Sequence, residues 1–160
     1  MTQKPSSTDS MSTYRLRNAR RGDVEAIASL FSELGYPNAP DASTVHWVLS
    51  HPEMEVICAV DSLDKPIGLI TLSHRPQLRM KGRIATIDEL VVTERWRRKG
   101  VGRTLVRRAI ERAKSLSAKR VELNTHKGRG EVVRSFYEAC GFAEADSLVL
   151  RLGEMDFQRR

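Results

Sequence analysis

Cysteine is scarce in this chain of 160 residues: Cys58 and Cys140 are the only two, far apart and each set among apolar neighbours. Neither has metal-ligand or redox spacing, which argues against a disulfide scaffold or a thiolate metal site and reads as two reduced, buried thiols. Long hydrophobic runs are missing as well, so no transmembrane helix is expected. The opening MTQKPSSTDSMSTY lacks the apolar stretch of a secretory signal. The expectation is a cytoplasmic protein with no membrane partner. His46, His51, His74 and His126 stand without carboxylates at useful spacing, so neither a metal centre nor a Ser-His-Asp arrangement has support. No G-x-x-x-x-G-K-[ST] occurs, and the dinucleotide fingerprint fails at Leu105, where its third small residue would stand. Aromatic residues are few and are not interleaved with the basic ones, which argues against a nucleic-acid partner.

What is present is an ordinary globular composition, 40% apolar and 29% charged, in a chain long enough to bury a core unaided. Residues 1–12 are rich in Ser, Thr, Lys and Pro and are expected to form a disordered tail, with one domain over 13–160. The charge is localised. Between Arg95 and Arg112 eight cations face Glu111 alone, a net of seven that equals the whole-chain excess of +7. Such clustering points to a local anionic partner.

Periodicity divides the chain into alternating elements. YRLRNA from Tyr14 reads as a strand. A helix follows with Val24, Ile27, Leu30, Phe31 and Leu34 on one stripe and Gly35 as its stop. A second short helix is expected over Asp41 to Leu49. EVICAV, PIGLITLSH and RIATIDELVV are strands, the first two joined by the turn DSLDK. From Val101 a helix runs to about Ala118, with Leu105, Val106, Ala109, Ile110, Ala113 and Leu116 inward. RVELNT from Arg120 is a strand, EVVRSFYEACG a helix ending at Gly141, and SLVLRL, Ser147 to Leu152, a last strand. The order β-α-α-β-β-β-α-β-α-β predicts an α/β fold with a mixed sheet, whose late strand-helix-strand crossover favours parallel neighbours.

At that crossover lies R-x-x-G-x-G, formed by Arg97, Gly100 and Gly102. Glycines let the backbone turn tightly and approach a ligand. The unpaired N–H groups of the next helix then converge on an anion, aided by the helix dipole. A pyrophosphate fits such a cradle. The plainer alternative is a permissive turn with solvated arginines, and Arg107, Arg108 and Arg112 read as a solvated helix face.

IDELVVTERWRRKGVGRTLVRRAIERA, followed by RVELNT and SFYEACGF, resembles the GNAT superfamily of acetyl-coenzyme A-dependent N-acetyltransferases. The element order agrees from Tyr14 to Leu152. The resemblance implies the GNAT fold with a splayed central parallel strand pair, and a pyrophosphate held by the backbone of Arg97, Arg98, Lys99, Gly100, Val101, Gly102, Arg103 and Thr104. It places pantetheine along Leu90, Val91 and Val92, with Asn124 bonding its amides or merely ending a strand. Arg98, Lys99 and Arg103 would meet the nucleotide phosphates. The sequence departs from the family where an asparagine commonly opens the last helix and a small residue stands one turn before the Phe: here Gly130 and Val133 stand there, and Arg129 is the candidate replacement contact.

Acetyl transfer to an amine needs a base, polarisation of the thioester carbonyl and a proton for the departing thiolate. Glu89 is the candidate base; on a regular strand it shares a face with Ile87 and Val91, with Asp88 on the other, and a bulge would change that parity. Pairing with a nearby arginine is its alternative fate. The Val92 N–H is the candidate oxyanion donor. The resemblance gives Tyr137 the role of acid, against the alternative of a core tyrosine; Phe136 is expected near Val132 and Cys140. Tyr36 and Trp47 are candidates for the acceptor pocket, with core packing or a surface position as the more common fate of such aromatics. The expected activity is direct transfer from acetyl-coenzyme A to a primary amine in a ternary complex, the amine belonging to a small molecule or a protein. The alternative is a catalytically silent coenzyme-binding sensor, and an exposed last strand would offer an edge for a homodimer.

Overall fold

The computed structural model describes residues 13–35, 38–126, 128 and 130–153. The expected tail, Tyr36 and Arg129 lie outside these residues. Two compact units divide the chain, the second beginning at Lys127.

In the first unit the chain runs β1 (Arg15–Asn18), α1 (Val24–Glu33), α2 (Ala42–Ser50), β2 (Met54–Val60), β3 (Pro66–Gln77), β4 (Gly82–Val92), α3 (Val101–Ser115) and β5 (Ala118–Leu123). Five strands lie in the order β1-β2-β3-β4-β5. All pairs are antiparallel except β4 with β5. The turn between β2 and β3 is closed by Asp61, whose carboxylate accepts from the Leu63 and Lys65 amides at 2.9 and 3.0 Å. Helix α2 starts where Asp41 accepts from the Thr44 amide at 2.7 Å, an N-cap one residue before the first helical turn. Helix α3 ends earlier than its pattern suggests: Ser117 turns left-handed, φ 57°, and β5 starts two residues sooner than expected.

Strand β3 is buried on both faces, with Leu69, Ile70 and Leu72 fully enclosed. Each such side chain contributes roughly 1.5–3 kcal/mol of apolar burial. One face packs Leu69 and Val91 with Ile27, Leu30 and Val45 of α1 and α2. The buried residues of α3 are Val101, Leu105, Val106, Ala109 and Ala113; of the expected stripe, Ile110 is half-buried, and Leu116, half-buried as well, lies just past the helix. Arg112 is not merely solvated: its guanidinium donates to the Glu55 carboxylate at 2.7 Å and ties α3 to β2. Arg108 meets Glu111 at 3.8 Å on the outer face.

The second unit contains α4 (Gly130–Ala139), ended by Gly141 at φ 95°. Its half-buried stripe is Val133, Phe136, Tyr137 and Cys140, at helical spacing. Val132 is 73% exposed, and the Phe136 ring meets Tyr137 edge-on at 5.0 Å. The last strand is also corrected. Ser147 to Leu152 has no regular structure, with Leu148 79% and Leu150 84% exposed. Alternating β-formers do not make a strand unless a neighbour completes the ladder, and no strand pair in the sheet includes them.

Candidate active site

Strand β4 is paired along its whole length on one side and only partly on the other. Toward β3 it matches from Gln77↔Gly82 to Gly68↔Val92. Toward β5 the pairing stops at Ile87↔Leu123, so Asp88 to Val92 run on without a partner strand. The Thr93 amide donates to the Ile67 carbonyl at 2.9 Å, which fixes the phase of the antiparallel ladder. Amides of Glu89 and Val91 therefore point to β3, and those of Leu90 and Val92 into the open edge. The Arg97 Nε–H donates to the Val92 carbonyl at 2.8 Å, as that phase requires. Its guanidinium also lies 3.6 Å from Glu33. Arg97 thus braces the turn to the end of β4.

Beyond that brace the backbone turns through Arg98, φ 62°, and Gly100, φ 84°, into α3. A left-handed residue here needs no compensation only when it is glycine, as at 100. Gly100 caps α3 without a side chain, and its carbonyl accepts from the Thr104 amide at 3.0 Å and hydroxyl at 2.9 Å. The Val101, Gly102 and Arg103 amides ahead of Thr104 belong to the first turn, where a helix supplies no carbonyl partner of its own. The Tyr14 hydroxyl lies 2.7 Å from Thr104 Oγ1, and its ring meets Trp96 edge-on, over which Lys99 sits at 5.5 Å. Tyr14 and Trp96 are supports that the motif alone did not indicate. Asn124 is exposed just past β5, at the end where that strand leaves β4.

Glu89 owes its position to a bulge. Thr71 pairs with Glu89 but Leu72 with Ile87, leaving Asp88 as the extra residue. The parity of a regular strand is thereby overturned: Glu89 shares a face with Val91, Leu69 and Thr71, opposite Ile87. Its carboxylate lines a cavity of about 760 Å³ between α1, α2 and strands β2 to β4. The Thr71 hydroxyl accepts from the Glu89 amide at 2.9 Å and donates to the Glu89 carboxylate. No ion pair reaches Glu89 among the described residues, so the expected alternative of an arginine partner is not realised. Burial and the negative charge of Asp88 push its pKa up to about 7. Trp47, a candidate for the acceptor pocket, does not line this cavity: it is 67% exposed, as its surface alternative has it, and its ring meets His51 edge-on at 6.3 Å. The aromatic in the wall is Phe31 of α1.

An open strand edge, a side-chain-free helix start and a raised carboxyl occur together in one unit. The family model described as Acetyltransferase (GNAT) family matches residues 22–142. The chain belongs to the GNAT acetyltransferase family. A proposed acetyltransferase from Agrobacterium tumefaciens strain C58 is 31% identical over 86% of this GNAT chain and 99% of its own, with a TM-score of 0.77. The fold is shared with more distant structures. One is an aminoglycoside acetyltransferase from an uncultured soil metagenomic sample, 18% identical over 89% and 96% of the two chains, TM-score 0.77. Another is glucosamine-6-phosphate N-acetyltransferase from Arabidopsis thaliana, 18% identical over 89% and 99%, TM-score 0.75. No curated protein matches the sequence.

In the second unit of the GNAT chain, Tyr137 is half-buried between two aromatic rings, Phe136 and Phe142, the latter edge-on at 5.9 Å. Its carbonyl accepts from the Cys140 and Phe142 amides at 3.0 Å each, closing the helix. Among the described residues no group of His, Cys, Asp and Glu could hold a metal ion, and no helix is long and apolar enough to cross a membrane.

Proposed function

We propose that this GNAT chain transfers the acetyl group of acetyl-coenzyme A directly to a primary amine within a ternary complex. The observation that carries the reading is Glu89: a raised carboxyl lining an apolar cavity, on the very strand whose far edge is open. The fit of the coenzyme rests on two features. The open edge from Asp88 to Val92 offers the Leu90 N–H and C=O and the Val92 N–H to pantetheine amides and thioester. The amides of Val101, Gly102 and Arg103 suit a pyrophosphate, with Arg98, Lys99 and Arg103 exposed around them for the remaining phosphate charge. Asn124 and Arg129 complete the proposed contacts.

Acetyl-coenzyme A supplies an activated acyl group as a thioester. The Glu89 carboxylate takes a proton from the incoming ammonium, directly or through water, freeing the nitrogen lone pair. As the C–N bond forms, the Val92 N–H stabilises negative charge on the carbonyl oxygen. When the C–S bond breaks, the Tyr137 phenol protonates the thiolate and recovers its proton from the amine nitrogen. The products are amide and thiol, with one proton released.

Thermal unfolding tests the reading. Acetyl-coenzyme A at saturating concentration is expected to raise Tm by about 5 °C or more. Release of thiol on adding amines should follow. An unchanged Tm would remove the coenzyme from the picture, whereas stabilisation without thiol release would mark a silent binder. Tyr137→Phe is expected to lower kcat about tenfold and leave the ligand-induced Tm shift intact; turnover at the parent rate would strip Tyr137 of its role.

A further inference from the structure

The cavity above Glu89 has a lopsided chemistry. Its walls are the side chains of Ile27, Phe31, Val45, Val48, Val56 and Leu69, drawn from both helices and two strands. No lysine or arginine lines it among the described residues. A phosphate or carboxylate entering it would give up hydration with no cation in return. Two acidic residues do line it, but they are not equivalent. Asp41 Oδ1 is already engaged by the Ser43 hydroxyl at 2.9 Å and the Thr44 amide at 2.7 Å, capping α2. Glu89 has the Thr71 hydroxyl described above as its partner, and it stands on β4. The cavity therefore offers Glu89 on β4, the ionised Asp41 at an exposed rim where it is committed to the α2 cap, and a long apolar wall. Asn38 and Thr44 add neutral hydrogen-bonding groups at the α2 end.

We propose that the acceptor is a primary amine carried on an apolar, otherwise uncharged body, of the arylalkylamine or alkylamine class. This inference rests on the acetyl-transfer reading above. The ammonium meets Glu89, and the body lies along Phe31 and Val48, where an aromatic or aliphatic chain replaces water. A polyamine or aminosugar with several ammonium groups would lay any charge that falls short of the Asp41 rim against Val48 and Val45. A phosphorylated amino sugar would bring a dianion to a wall without cations.

Rates of thiol release with phenethylamine, spermidine and glucosamine phosphate decide the matter in the parent chain, without any variant. The expected result is a kcat/KM for phenethylamine at least about tenfold above the other two. Val48→Asn is expected to lower that value about tenfold while the Tm shift from acetyl-coenzyme A persists. Preference for spermidine or glucosamine phosphate would overturn the substrate class and leave acetyl transfer standing. Stabilisation by acetyl-coenzyme A without thiol release from any amine would overturn acetyl transfer, and this inference with it. A folded Val48→Asn chain with the parent's phenethylamine kinetics would overturn the apolar wall as the binding surface.

Discussion

Two shielded carboxylates in the first unit have opposite fates. Asp23, at the start of α1, is buried, and burial alone would raise its pKa; the Arg17 fork, at 2.8 and 3.0 Å, and the Arg20 amide, at 2.7 Å, more than offset that and hold it below the ordinary value. Arg17 also reaches Asp64 at 2.9 Å, so three elements are pinned by one guanidinium. Glu89 is half-buried, with a hydroxyl for company and a negative neighbour, and its pKa rises to about 7. Shelter sets the cost of charge in both places, and the partner decides whether the group stays ionised as a brace or stays near neutrality, able to exchange a proton.

The sharpest way to break this comparison is to remove the reactive member. Glu89→Gln should lower kcat/KM at neutral pH by about 10²–10⁴-fold while acetyl-coenzyme A still stabilises the fold. The parent's kcat/KM should fall below pH about 7, where Glu89 is protonated, and the variant should lack that limb. A variant retaining both rate and pH limb would move the base elsewhere.

Next in size is the brace. Arg17→Met leaves Asp23 buried and unpaired, and chemical denaturation at pH 7 should show a loss of about 3 kcal/mol. The signs of the two sites with pH are opposite. Asp23 has a lowered folded pKa, so its stabilisation is present above its unfolded value and is lost as pH falls through the folded one. The gap between parent and Arg17→Met should therefore narrow as pH falls, from the raised pKa of the unpaired Asp23 in the variant down through the lowered pKa of the parent. Glu89 has a raised folded pKa, so the parent loses stability relative to Glu89→Gln as pH rises from about 4.5 to about 7. Equal slopes for the two variants in that window would refute the contrast.

The smallest expected effect tests the hydroxyl. Thr71→Val removes a donor that favours the charged form of Glu89, so the acid limb of kcat/KM should move to higher pH by about half a unit. A shift to lower pH would show that Thr71 opposes ionisation.

Much of this was legible in the sequence, for definite reasons. The α3 stripe follows from helical spacing, and the turn before it from two glycines amid cations at a strand end. Glu89 could be singled out, but not its face, because one bulged residue reverses every side chain beyond it and leaves no compositional mark. Long-range pairs were invisible as well. Arg17 with Asp23 and Asp64, and Arg112 with Glu55, join residues whose separation obeys no local period. Ser147 to Leu152 shows the reverse error: its alternation is that of a strand, yet a ladder is a property of two segments and not of one.

The extra residue at Asp88 makes the site a matter of counting. Its side chain contributes a charge beside Glu89, and its presence lets Ile87 and Glu89, two residues apart in sequence, take opposite faces of the sheet. A chain shortened by that one residue would make Leu72↔Ile87 and Thr71↔Glu89 consecutive pairs of a regular ladder, with the acid still on the cavity face. Position 88 therefore governs the bend of the strand and the charge beside the acid, while the pairing with β3 governs the acid's face.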